Sequence, residues 1–179
     1  IPQNSNGSNG QMFEDEKWNG DSVDKEYAEF RMRNEPLVEV TQVKGTSETH
    51  PLLSPNDEWA NFEIFPSRIG QNIYSIPYGG YVRDAYLRGM LAEWEGKGNP
   101  YKFGLVGASD THTAASSYDE SNYWSKVGLL DGETFLRGST TLAKEDIDQI
   151  TSSVNTQGLY RFVEHCLLYT SPSPRDVGI

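Results

Sequence analysis

The chain has 179 residues, 36% of them hydrophobic and 12% aromatic, a size that supports one core and not two independent ones. Its 15 Lys and Arg against 26 Asp and Glu give a formal net charge of -11, which argues against the basic face that a phosphate-backbone binder needs, so no nucleic acid partner is expected. No apolar run approaches the roughly 20 residues of a bilayer-crossing helix, so no membrane span is expected either.

At the start, Ile1-Pro2 leads into Gln3-Asn4-Ser5-Asn6 without the zones of a signal peptide. The start reads as internal, and exported and cytoplasmic addresses both stay open. Asp21-Ser22 precede Val23, Tyr27 and Phe30 at helical spacing, with acids early and Arg31 and Arg33 late, which predicts an amphipathic helix of about three turns. Glu35-Pro36 stops it, and residues 37–43, rich in β-branched side chains, read as a strand. Ser54-Pro55-Asn56-Asp57-Glu58-Trp59 combines an N-cap, a Pro at the first helical position and early acids, predicting a short helix. Val82, Tyr86, Met90 and Trp94 form an apolar stripe at i, i+4 spacing, predicting a core-facing helix that Gly96, Gly98 and Pro100 end. Residues 101–109 read as a buried strand and residues 142–150 as a helix introduced by Ser139-Thr140-Thr141.

From Cys166 to Asp176 the sequence resembles the translation of a transposon-type sequencing adapter. Residues 1–165 are therefore expected to form one domain and residues 166–179 a non-native tail. The only Cys falls in that tail, so thiol catalysis is not expected. Both ends together read as a fragment.

Alternating strands and helices, with connections long enough for crossovers, point to the α/β class with parallel strands, in a sheet or a barrel. Such folds place ligands at the carboxyl ends of the strands. Three polar exits stand there: residues 3–6, residues 44–50 and residues 109–113. Asp110 and His112 are one residue apart, so on a continuing strand they share a side, as two ligands of one cation must. Carboxylate oxygen with imidazole nitrogen suits Zn, Mn or Fe better than Ca or Mg. A hydrogen-bonded Asp and His closing a turn is the structural alternative. Glu48 and His50 repeat the spacing after the preceding strand, with His50 the stronger candidate. Glu39 is either an edge residue facing water or a barrel-interior acid. Lys44, the one cation in these exits, is a candidate to neutralise an anionic substrate group. No P-loop, Rossmann fingerprint, nucleophile elbow or Cys-based zinc motif is present.

Residues 37–58 with Glu48-Thr49-His50-Pro51, residues 99–104 (Asn99-Pro100-Tyr101-Lys102-Phe103-Gly104) and residues 107–113 (Gly107-Ala108-Ser109-Asp110-Thr111-His112-Thr113) resemble the domain-of-unknown-function family 3604. The resemblance covers most of the chain up to about Gly128. It implies kinship with the PHP (polymerase and histidinol phosphatase) superfamily. From that follow a distorted β/α barrel, of which this chain is the C-terminal, incomplete part, and a metal-dependent phosphoesterase-type site at the carboxyl ends of its strands. Asp110 and His112 match the late Asp-x-His metal motif of that superfamily, and His50 matches a family-typical His-Pro. Gln3 stands where many relatives carry a His, and the early His-x-His motif lies upstream of Ile1.

The function so implied is a divalent-metal-dependent hydrolase. Its metal, Zn, Mn or Fe in a number left open, is held by Asp110, His112 and His50. Glu48 and Gln3 touch the metal or its ligands, and Asn4, Asn6 and Lys44 orient a small-molecule anionic substrate. A non-catalytic ligand-binding module that kept the fold and lost ligands is the alternative, and Gln3 favours it. Oligomeric state has no signature in the sequence.

Overall fold

Asp24 starts the first helix. Its side chain accepts a hydrogen bond from Tyr27 N at 2.9 Å, capping α1 (Lys25–Asn34), whose last turn carries Arg31 and Arg33. The computed structural model describes residues 1–42, 44–69, 73–110, 112 and 144–156. The helix begins later than Asp21-Ser22 predict, because Ser22 is bridged to Glu16 as an extended pair. Its inward residues are Ala28 and Arg31, and Phe30 is exposed. Arg31 Nη2 donates to Met12 O at 2.9 Å and its guanidinium lies 5.2 Å from the Tyr101 ring centre, so a long cationic side chain takes the place expected of an apolar one.

Strand β1 (Leu37–Gln42) is the middle of a three-stranded sheet, between β2 (Gly45–Thr46) and β3 (Gly104–Gly107). The β1 and β3 strands run parallel, as their α/β setting predicts, whereas the two-residue β2 pairs antiparallel and had no sequence signal. Leu37 faces Gly104, Val38 faces Leu105 and Glu39 faces Val106, but Thr41 faces Gly107, so β1 carries one extra residue at Val40. This is a β-bulge. The β3 strand is shorter than the expected 101–109, because Tyr101 and Phe103 turn into the core before it and regular pairing stops at Gly107.

Helix α2 (Val82–Trp94) forms where predicted, but it buries Val82, Asp84, Ala85 and Gly89, while Met90 is 55% and Trp94 85% exposed. Each i+4 step turns about 400°, so three steps carry the stripe about 120° around the helix and off the core. Residues 54–59 form turns and not the expected helix. Asp57 Oδ1 accepts from Trp59 N at 3.0 Å, and its other oxygen binds Arg83, which fixes a local turn in competition with the helical ladder.

One core cluster joins Phe13, Val38, Val82, Ala85, Tyr101 and Phe103. A second joins Leu53, Ile64 and Tyr81 to Ile150 of α3 (Lys144–Thr156), with Ile147 packed against it. That helix overlaps the predicted 142–150, while Leu142 and the adapter-like residues 166–179 lie outside the described residues. No helix among the described residues is long and apolar enough to cross a membrane.

Candidate functional site

The carboxyl end of β1 gathers polar side chains from three distant segments. Glu39, 6% exposed, accepts from Asn4 N at 3.1 Å through Oε2. Its Oε1 lies 3.5 Å from Lys44 Nζ and accepts no hydrogen bond among the described residues. Lys44, 9% exposed, donates through Nζ to Ser47 Oγ, and Ser47 donates to Asn6 Oδ1 at 3.1 Å. Burial pushes the Lys44 ammonium down to about 8, with Glu39 opposing the shift, so at neutral pH the cation is retained.

Gln42 ties this group to the exit of β3. Its Nε2 donates to Asn4 Oδ1 and to Asp110 Oδ2, both at 2.9 Å, and its Oε1 accepts from Lys44 N at 3.1 Å. A backbone N–H only donates, so the Lys44 contact fixes which end of the amide faces Asp110. Glu39 and Gln42 are three residues apart and would face opposite sides of a flat strand. The bulge at Val40 changes the parity, and both reach Asn4.

Beyond Gly107 the strand ends, so Asp110 and His112 do not share a side through strand alternation as expected. Left-handed backbone at both residues brings them together, with φ 52° at Asp110 and 58° at His112, and His112 Nε2 lies 3.0 Å from Asp110 Oδ1. This direct carboxylate–imidazole contact is compatible with both expected readings, two ligands of one cation and an Asp–His pair closing a turn. Among the described residues five non-glycine positions have left-handed φ, and three of them, Asn4, Asp110 and His112, belong to this one cluster. Each such backbone costs on the order of 1 kcal/mol and persists where surrounding bonds hold it.

A family model described as protein of unknown function (DUF3604) matches residues 1–161. The chain belongs to this family. No match was found among curated proteins or among solved structures. The DUF3604 match covers every residue of the cluster from Asn4 to His112 and ends before residue 166.

Of the other predicted site residues of this DUF3604 chain, Asn6 belongs to the cluster through Ser47, whereas His50 and Glu48 make other contacts. His50 is 1% exposed, its ring centre lies 5.4 Å from that of Tyr81, and its Nδ1 accepts from Leu52 N at 3.1 Å. Burial pushes its imidazole down to about 3, so it is neutral and carries its hydrogen on Nε2. Glu48 is exposed and ion-paired with Arg83 on the outer side of α2, and Gln3 is exposed. Asn6 spends its side chain within the protein, donating to Phe65 O at 3.3 Å and accepting from Ser47. Among the described residues, no group of three or more His, Cys, Asp and Glu is placed to hold a metal ion.

The sequence leaves Glu39 open between two settings and does not mark Gln42 or Ser47 as site residues. Glu39 is a buried acid inside the cluster and not an edge residue facing water. Gln42 carried a usable signal, an amide two residues before a strand-exit lysine, but the odd spacing from Glu39 concealed their common target.

Proposed function

We propose that this DUF3604 domain is a divalent-metal-dependent hydrolase of the phosphoesterase type, part of a distorted PHP-like β/α barrel, acting on a small-molecule anionic substrate. One observation carries the reading: Asp110 and His112, both in left-handed backbone, present oxygen and nitrogen 3.0 Å apart beside the exits of two parallel strands. Ligand bonds of about 2.1 Å at neighbouring positions on one ion place their donor atoms about 3 Å apart, so this pair fits as two members of a coordination set. The carboxylate and imidazole donors suit Zn, Mn or Fe.

Such an ion, when bound, supplies Lewis-acid polarisation of a phosphoryl oxygen and a lowered pKa for a bound water. The chain's own residues do the rest. Asp110 and His112 hold the ion, Gln42 holds Asp110, and Asn4 holds Gln42. The Lys44 ammonium, kept charged beside Glu39, offers the cluster's positive charge to an anionic oxygen, which lets an acidic protein accept an anion.

The test is bound Zn, Mn or Fe by elemental analysis, with hydrolysis of p-nitrophenyl phosphate and bis(p-nitrophenyl) phosphate, for the wild type, Asp110→Asn and His112→Gln. Metal-stimulated hydrolysis lost in both variants supports the reading; a wild type that retains no ion overturns it. A non-catalytic ligand-binding module is the second reading. Gln3 favours it, offering an exposed neutral amide where the family resemblance leads one to expect imidazole. Ion or phosphate binding without turnover would select it.

A further inference from the structure

We propose that Gln42 is the positioning residue of this site, the group that sets the Asp110 carboxylate against His112; this rests on the reading of Asp110 and His112 as a metal-holding pair. The Gln42 amide has two N–H donors and one strong acceptor, and all three groups are engaged: Asn4 Oδ1 and Asp110 Oδ2 at 2.9 Å, and Lys44 N at 3.1 Å. Rotating the amide by 180° would set its oxygen against the Asp110 carboxylate and its NH2 against the Lys44 N–H. Both contacts are repulsive, so the fork has one orientation.

Asp110 lies beyond the last ladder pair of β3, in left-handed backbone at φ 52°. Backbone pairing therefore does not place its side chain. With Oδ2 drawn to Gln42, Oδ1 is the oxygen turned to His112 Nε2 at 3.0 Å. The same amide leads through Asn4 to Glu39 and through the Lys44 backbone to its ammonium, so one side chain joins the pair beyond β3 to the buried cation beyond β1. The bulge at Val40 is what allows it, since a flat β1 would turn residue 42 away from the side that Glu39 faces. Partners that orient a metal's ligands in this way typically change affinity by about 10-fold to 100-fold when removed.

The experiment uses the full chain, with Mn2+ as the probe, titrated into wild type, Gln42→Met and Tyr101→Phe. Tyr101→Phe loses the hydroxyl's hydrogen bond to Glu14 O and its contact with Arg88, neither of which belongs to the cluster, and serves as a control for a general loss of stability. In parallel, long-range 1H–15N spectra of metal-free wild type, Gln42→Met and Gln42→Glu at pH 8 report the His112 tautomer, with its signals assigned by loss in His112→Gln. Expected are a Kd for Mn2+ about 10-fold to 100-fold weaker in Gln42→Met and unchanged in Tyr101→Phe. His112 should show one Nε2–H tautomer in the wild type and a mixture in both Gln42 variants. Equal Mn2+ affinity in Gln42→Met and wild type overturns the proposal and leaves the metal reading standing. A wild type that binds no Mn2+ overturns the metal reading instead. In that case His112 decides the positioning role, and an unchanged tautomer in both variants overturns it.

Discussion

Gln42 and Asp110, 68 residues apart in the chain, are joined by a hydrogen bond of 2.9 Å from the amide to the carboxylate. The bond links the exits of β1 and β3, two parallel neighbours whose ladder has already ended where Asp110 stands. Sheet pairing brings the two exits side by side, and the side-chain amide then fixes the carboxylate.

Asn4 completes that arrangement from the N-terminal side, with left-handed backbone at φ 55°, its N–H on Glu39 and its Oδ1 under Gln42. Asn4→Gly relieves the Cβ penalty and loses the acceptor, whereas Asn4→Ala loses the acceptor and keeps the Cβ penalty. Urea unfolding should show both destabilised, Ala by about 1 kcal/mol more than Gly. Equal values would mean that the left-handed turn is not being held against strain.

His50 makes stability depend on acid. Burial lowers its folded pKa to about 3 from an ordinary 6.5, so between those values the unfolded chain binds a proton that the folded one refuses. Its contribution is complete above pH 6.5 and is lost as pH falls toward 3, by up to about 1.4 kcal/mol per pH unit. His50→Asn can accept the Leu52 N–H without titrating. Its unfolding free energy should fall less steeply than that of the wild type between pH 6 and 4. Parallel slopes for the two proteins would assign the acid sensitivity to other groups.

Gly45 makes the turn that places Lys44 and Ser47 in contact, at φ 89°, and a Cβ there would sit inside contact distance of Glu63 O. Thr46 N donates to that same carbonyl at 2.8 Å, so the carbonyl does not withdraw without losing a bond. Gly45→Ala should cost about 3 kcal/mol, from a strained backbone and a displaced hydrogen bond together. A thermal midpoint within about 2 °C of the wild type would show that this turn yields freely.

The sequence by itself determined the elements whose signals are local. Arg31 and Arg33 close α1, Val82 and Tyr86 begin the α2 stripe on the core, and β-branched residues make β1, because helical period, dipole complementarity and strand propensity are properties of neighbours in the chain. It also marked Asp110 and His112, as polar residues just past a glycine-containing apolar strand. Only the tertiary structure decided how they meet, for the strand that was to align them stops at Gly107 and left-handed backbone does it instead. Tertiary packing alone also decided that Met90 and Trp94 leave the core, that Asp57 turns toward Arg83 in place of a helix, and that Glu39 and Gln42 share one target. Each of these turns on a contact between distant segments or on one extra residue in a ladder. A period-two or period-3.6 pattern holds no record of a bulge at Val40, because the bulge is defined by the partner strand, where the consecutive residues Val106 and Gly107 face Glu39 and Thr41.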